Sequence, residues 1–267
     1  YRTSYVDVLF LHNSDGKEDY DEIMKPGGLK DLALEYKAAG KARYIGFSGH
    51  TAETAIEAAR SGYVDVLMFP INIAGNSVPG RQDLLKACAD NDVGLVAMKI
   101  FGGGKLLQEW TSAEMNRWEL GGSEKTVDRT TPLNPVEGLH YALSQIGVST
   151  VVPGCKTVAE LSTDLAYFDA SESAKDYSEK LSDIKQFQAG DCVYCNHCLP
   201  CPSRIDIGAT IRLLETAAGD LTDELQQRYR DLPNPASDCI ECGDCESRCP
   251  FGVEVIPKMK NAAMAFE

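Results

Sequence analysis

Residues 5–12, YVDVLFLH, form an apolar, β-branched run that stops abruptly on a histidine. Four further runs have the same form: Arg43–His50 (RYIGFSGH), Val64–Asn72 (VDVLMFPIN), Gly94–Phe101 (GLVAMKIF) and Val148–Gly154 (VSTVVPG). Near-continuous apolar segments of this length suit strands of a parallel sheet, buried on both faces. Helical spacing fills the gaps between them. Gly28–Ala39 sets Leu29, Leu32, Leu34 and Tyr36 among charges and stops at Gly40, while Thr51–Ser61 opens on a capping-box-like Thr51-x-x-Thr54 and stops at Gly62. Arg81–Asp92, Pro135–Ile146 and Thr157–Phe168 continue the alternation, so five strand–helix units predict an α/β fold.

Each predicted strand ends in something polar or glycine-rich: His12, Ser48-Gly49-His50, Asn72, Lys99 with Gly102–Gly104, and Gly154-Cys155-Lys156. Chemistry at the C-terminal ends of parallel strands marks a (β/α)8 barrel or a doubly wound sheet. Five strands do not close a barrel. The chain opens YRTSYVDVLFLH, without a methionine and almost directly in a strand, so we expect a partial barrel, its last five units, with the first units upstream. Residues 102–132 form a Gly-rich, polar insertion too long for an ordinary connection, which suggests a functional loop.

The chain has 267 residues, 43% apolar and 25% charged, as in a globular protein with one large and one small domain. A formal charge of −14 argues against nucleic acid and anionic membrane surfaces as partners. No apolar run is long enough to span a bilayer. We expect a cytoplasmic protein, with any targeting signal lying upstream. Residues 1–170 read as the barrel segment, 171–190 as a charged linking helix (Ser171–Gln188), and 191–267 as a small, mainly helical domain. Helices are predicted there at Ile207–Ala217, Leu221–Arg230 and Ile256–Ala265, with a break at LPNPAS, 232–237.

Cys88 and Cys155 stand alone, and the other eight of ten cysteines fall within residues 192–249. The second run, DCIECGDCESRCP (238–250), has the spacing C-x2-C-x2-C-x3-C-P of bacterial ferredoxins. Three thiolates at steps of three can wrap one face of a cubane, with Gly243 permitting the turn. The fourth, set before a proline, turns toward a second cluster. The first run, DCVYCNHCLPCP (191–202), differs by one residue in its last gap. We therefore expect two [4Fe-4S] clusters, one held by Cys192, Cys195, Cys198 and Cys249, the other by Cys239, Cys242, Cys245 and Cys201. The rival is a pair of four-cysteine zinc sites, although zinc motifs usually present CxxC halves separated by a hairpin. A disulfide framework ranks third, because repeated steps of three favour a shared metal and a reducing compartment. His197, inside the first loop, is read as a hydrogen-bonding or exposed residue rather than a ligand.

At YVDVLFLH, GKARYIGFSGH, VGLVAMKIFGGGKLL and VSTVVPGCKTVAELSTDL the sequence resembles the aldo/keto reductase superfamily, specifically a branch with a C-terminal ferredoxin-like domain. The likeness covers essentially the whole chain. It implies a (β/α)8 barrel that uses NADPH to reduce carbonyls, with Tyr, Lys, Asp and His at the active site. His12 matches the catalytic histidine at the end of the fourth barrel strand, where it would orient a substrate carbonyl. Ser48 matches a position that holds the nicotinamide carboxamide. The residue after it is usually Asn but here is Gly49, which implies a grip either weakened or redistributed toward His50. Met68 and Met98 stand where many members have a carboxamide and a stacking aromatic, and packing alone would also explain them.

Lys99 with Gly102, Gly103 and Gly104 matches the loop along the cofactor pyrophosphate. Gly154 and Lys156 match the segment around the adenosine 2′-phosphate, although Asp164 replaces a common Asn nearby. Cys155 reads as a bystander. The catalytic Tyr, Lys and Asp would lie in the upstream units, since none of the eleven tyrosines takes that role, and this segment alone is expected to be inactive. The resemblance implies NADP(H) as cofactor and a small carbonyl or related organic substrate. The clusters further suggest exchange with a one-electron redox protein. Two other functions remain open on sequence: a non-catalytic iron–sulfur electron-transfer module on a vestigial barrel, and a zinc-stabilised binding protein.

Overall fold

The computed structural model describes residues 3–12, 14–75, 79–107, 110–111, 129–130, 132–183, 190–192, 198–217, 221–249 and 251–267. The chain divides into two compact units, Tyr1–Leu107 with Leu133–Phe187, and Gln108–Pro132 with Gln188–Glu267.

The first unit begins with β1 (Val6–His12), α1 (Lys17–Met24) and α2 (Leu29–Ala38). It continues through β2 (Ala42–Ser48), α3 (Ala52–Arg60), β3 (Val66–Pro70), α4 (Arg81–Asp90) and β4 (Gly94–Met98). After the insertion, whose short strands β5 (Trp110–Thr111) and β6 (Arg129–Thr130) pair antiparallel, come α5 (Pro135–Leu143), β7 (Val148–Val152) and α6 (Val158–Leu165). Helix α1 was not anticipated from the sequence, being short and almost wholly charged on its exposed face; only Tyr20 is buried.

β1, β2, β3, β4 and β7 form one parallel sheet in sequential order. That order decides between the two α/β architectures. A doubly wound sheet reverses its strand order at a switch point and carries helices on both faces. A sequential order with crossovers of one hand puts every helix on the same face, as in a barrel wall. Burial agrees with this. β3 and β4 both alternate half-buried and buried positions, with Leu67, Phe69, Leu95 and Ala97 sealed and Val66, Met68, Val96 and Met98 half-buried. Ile45, Phe47, Leu67 and Leu95 join Ala55, Ala58, Leu84, Leu85 and Ala142 of the helices in the main core.

Two expectations change. Thr51 is the N-cap residue of α3, but its side chain makes no cap bond; the loop is held instead by Asp15, which accepts from the Thr51 backbone N–H at 3.1 Å. The single linking helix is two short ones, α7 (Glu172–Lys175) and α8 (Ser178–Asp183). Asp176 is extended between them and accepts from the Ser178 N–H, while Tyr177 packs edge-on against Tyr141 of α5 at 5.3 Å between ring centroids. The remainder of that predicted helix, 184–188, lies outside the described residues.

In the second unit, α9 (Ile207–Ala217), α10 (Asp223–Arg230), the short α11 (Asp244–Ser247) and α12 (Val255–Phe266) enclose a separate core. Ile205, Ile207, Ile211, Leu214, Val255 and Met259 are its centre. Tyr229 ties down the chain end: its hydroxyl accepts from the Ala236 N–H and donates to Glu267, both at 2.6 Å, and its ring stacks on Phe266 at 4.4 Å.

Within the sheet, Phe10 stands opposite Gly46 in register, and a Cβ on Gly46 would come within 2.5 Å of the Phe10 ring. Gly46→Ala should therefore destabilise the first unit by about 1–3 kcal/mol through overpacking. A chemical-denaturation midpoint equal to wild type would refute that contact.

Candidate functional site

The parallel register aligns His12, Ser48, Met68 and Val96 as one lateral row across β1 to β4. Alternation puts this row on the face away from the helices, at the C-terminal end of the sheet. His12 Nδ1 and the Ser48 hydroxyl are 2.6 Å apart. Ser48 is buried and His12 exposed, so an open imidazole is fixed by a sheltered hydroxyl. Met68 is the next side chain in the row and is half-buried. Met98 is on the same face one step nearer the strand ends, opposite Pro70.

Behind the row, one carboxylate organises the loop after β2. Asp15 accepts from the backbone N–H groups of His50 and Thr51, and its other oxygen lies 3.2 Å from His50 Nδ1. Gly49 makes this possible, because a Cβ there would come within 2.9 Å of Asp15 Oδ1. The Ser48-Gly49-His50 turn is therefore shaped by a residue on the preceding loop, which the sequence reading did not single out.

Asn72 links the ends of β3 and β4. Its side-chain amide donates to the Lys99 carbonyl at 3.1 Å and its oxygen accepts from the Gly75 N–H at 2.8 Å. Arg81, fully buried, donates to the Asn72 carbonyl at 2.8 Å and to the Tyr141 hydroxyl at 3.0 Å. Burial holds its guanidinium below the usual arginine range. The loop that follows is left-handed at four positions: Lys99 has φ 55°, Gly102 54°, Gly103 70° and Gly104 95°. Three glycines supply that conformation cheaply, and the lysine adopts it at a cost.

Gly154 and Lys156, after β7, are exposed. Thr157 and Glu160 form a capping box at the start of α6, and the Glu160 carboxylate also accepts from the Lys156 N–H. The amides of Lys156 and Thr157 are thus engaged by the Glu160 carboxylate, with buried Asp164 close behind. Two acidic side chains beside this turn weaken its attraction for an anion. The signal was readable as T-x-x-E at residues 157–160.

In the second unit, one cavity is lined by Cys201, Cys239, Cys242 and Cys245 together with apolar Ile205, Ile207 and Met259. Cys245 is buried, Cys201 and Cys239 are half-buried and Cys242 is exposed. Gly243, with φ 81°, makes the turn between Cys242 and Cys245. Among the described residues no three His, Cys, Asp or Glu side chains group tightly enough for a single ion; these four cysteines line one cavity. Four soft thiolates around an apolar-walled cavity fit an iron–sulfur cluster. Cys192, Cys198 and Cys249 are half-buried and pack against the same core. The Gly190 N–H donates to the Phe251 carbonyl at 2.7 Å, so the backbone two residues before Cys192 meets that two residues after Cys249. Cys195, His197 and Pro250 lie outside the described residues.

Comparison with known proteins agrees with both halves. Residues 1–183 match the model of the aldo/keto reductase family, and residues 188–253 match the model of the 4Fe-4S dicluster domain. A D-threo-aldose 1-dehydrogenase from a Pseudomonas species is 26% identical over 174 residues, 61% of this chain and 51% of that protein. The chain thus spans about half the length of this curated relative. Solved structures of an aldo-keto reductase from Bacillus halodurans are similar in both holo and apo forms. Each has a TM-score of 0.49 at 19% identity, covering 67% of this chain and 62% or 63% of the other. No helix among the described residues is long and apolar enough to cross a membrane.

Cys155 shows what the acidic turn does to a neighbour. Its thiol donates to Asp164 at 2.9 Å, and this bond to a carboxylate pushes the thiol up to about 11. At pH 8 Cys155 should therefore alkylate slowly although exposed. Asp164→Asn should lower the thiol and speed iodoacetamide labelling roughly tenfold per unit gained. Peptide mapping that found equal rates would disprove the assignment.

Proposed function

The chain belongs to the aldo/keto reductase family, and on that premise we propose that it serves an NAD(P)H-dependent oxidoreductase acting on a small carbonyl or related organic substrate, with two [4Fe-4S] clusters as electron carriers. The observation that carries the first part is the row of His12, Ser48 and Met68 at the C-terminal end of a sequential parallel sheet. The four-cysteine cavity beside the dicluster-domain match supports the second.

With Nδ1 engaged by Ser48, the His12 Nε2 is the atom that would meet a substrate oxygen and orient it. Ser48 would thereby fix the imidazole rather than act as a nucleophile. The Asp15-braced turn holds Ser48 in place, and the left-handed glycine loop lets backbone N–H groups approach a diphosphate. Cys192, Cys195, Cys198 and Cys249 would hold one cluster and Cys201, Cys239, Cys242 and Cys245 the other. A bound nicotinamide supplies or accepts two electrons as hydride and each bound cluster carries one, which suits exchange with a one-electron redox protein.

Lys156 favours NADP(H), whereas Glu160 and Asp164 oppose a 2′-phosphate. Glu160→Gln should therefore strengthen NADPH binding relative to NADH in fluorescence titrations. An unchanged ratio would put the adenosine end of the dinucleotide elsewhere.

The reading as a whole is tested on anaerobically purified intact protein. Iron and acid-labile sulfide are expected, and NADPH or NADH should bleach the clusters' visible absorbance once substrate chemistry or the partner links the two. Zinc without sulfide would replace the iron–sulfur reading. Clusters that never exchange electrons with the dinucleotide would make them structural. His12→Ala should lower turnover about 10²–10⁴-fold while leaving dinucleotide binding within a few-fold.

A further inference from the structure

Arg248 stands one residue before Cys249 and three after Cys245. Its Nε donates to the Asp244 carbonyl at 2.9 Å, and its Nη2 donates to the carbonyls of Cys198 at 3.2 Å and Pro200 at 2.9 Å. One side chain therefore ties the second cysteine run to the first. The place where it does so is specific. In the proposed ligand sets, the first run passes from one cluster to the other between Cys198 and Cys201. The second run passes between Cys245 and Cys249. Arg248 bonds a carbonyl at or beside three of these four cysteines, and is itself chain neighbour to the fourth.

The planar guanidinium can address several acceptors at once, which a lysine ammonium on a flexible stem cannot do with the same geometry. All three acceptors are neutral carbonyls, so these bonds do not cancel the positive charge. Reduction adds negative charge to a cluster, and a fixed cation nearby favours the reduced form.

We propose that Arg248 is a positioning residue for both clusters: it holds the two crossover points together and its charge raises their midpoint potential. This rests on the iron–sulfur reading above. It differs from a plain loop clamp, which would affect cluster retention and nothing else.

The test is an anaerobic redox titration of intact wild type, Arg248→Gln and Arg248→Lys, followed by electron paramagnetic resonance, with iron and sulfide assayed in each. Both variants are expected to keep wild-type iron and sulfide. The Gln variant should show a lower midpoint, while the Lys variant, which keeps the charge, should return toward wild type. The Lys variant should still show an altered magnetic interaction between the two reduced clusters, because it cannot hold both crossovers. An unchanged midpoint in a fully loaded Gln variant would overturn the electrostatic role. Equal loss of iron in both variants would reduce Arg248 to a structural clamp. A wild type lacking iron and sulfide would instead remove the cluster reading itself.

Discussion

The parallel pairing of β1 with β2 sets nearly everything at the mouth of the first unit. Parallel neighbours cannot be joined by a tight hairpin, so each strand must be followed by a crossover. Sequential order then sends those crossovers to one face and leaves the other for chemistry. Because the register opposes His12 to Ser48, a shift of one residue would send the histidine to the helix face and bury it among leucines. Phe10 against Gly46, two positions earlier, helps fix that register: the ring fits because the partner has no side chain.

In the second unit the corresponding constraint is the thiolate set. Its core is small, and the cysteines are part of it: Cys245 is a core member, with Cys192, Cys198, Cys201, Cys239 and Cys249 packed alongside. A domain of this size gains much of its stability when a metal centre cross-links its loops. In the proposed function the same residues would be ligands as well as apolar packing. The wall of the cavity is accordingly mostly apolar, with Ile205, Ile207, Ile240, Val255, Ile256 and Met259 beside the cysteines and a single glutamate, Glu241, in its lining.

The strands, their polar ends and the cysteine runs were legible because periodicity and spacing carry them directly. The barrel-type sheet was narrowed only by strand order, a long-range property that five local runs do not encode. Asp15 was missed because its role depends on distance across the fold, from one loop to the amides of another thirty-five residues away. Glu160 was different: its capping box was written in the sequence, but the neighbouring lysine drew the phosphate reading first. Arg248 belongs with Asp15, since nothing about an arginine inside a cysteine run announces bonds to the other run. The linking helix failed for a local reason, since Asp176 and Tyr177 gain more from a turn and an aromatic contact than from continuing the helix.

Backbone strain gives an independent view of where function concentrates. Among the described residues, Asp92, Lys99, Arg204 and Glu241 adopt left-handed φ without being glycine. Each such residue costs about 1–2 kcal/mol and persists where its surroundings hold it. Lys99 is held through its carbonyl by Asn72, Arg204 bonds back to the Cys201 carbonyl, and Glu241 pairs with Lys260 at 2.8 Å. These three lie in the glycine-loop entrance, just after Cys201, and between Cys239 and Cys242. Asp92 is the counterexample, closing the turn after α4 at the opposite end of the sheet from the site. Strain alone thus does not mark a site. Three of the four fall at a strand's C-terminal end in one unit or within or just after the cysteine runs in the other, the two places where the proposed function puts its chemistry.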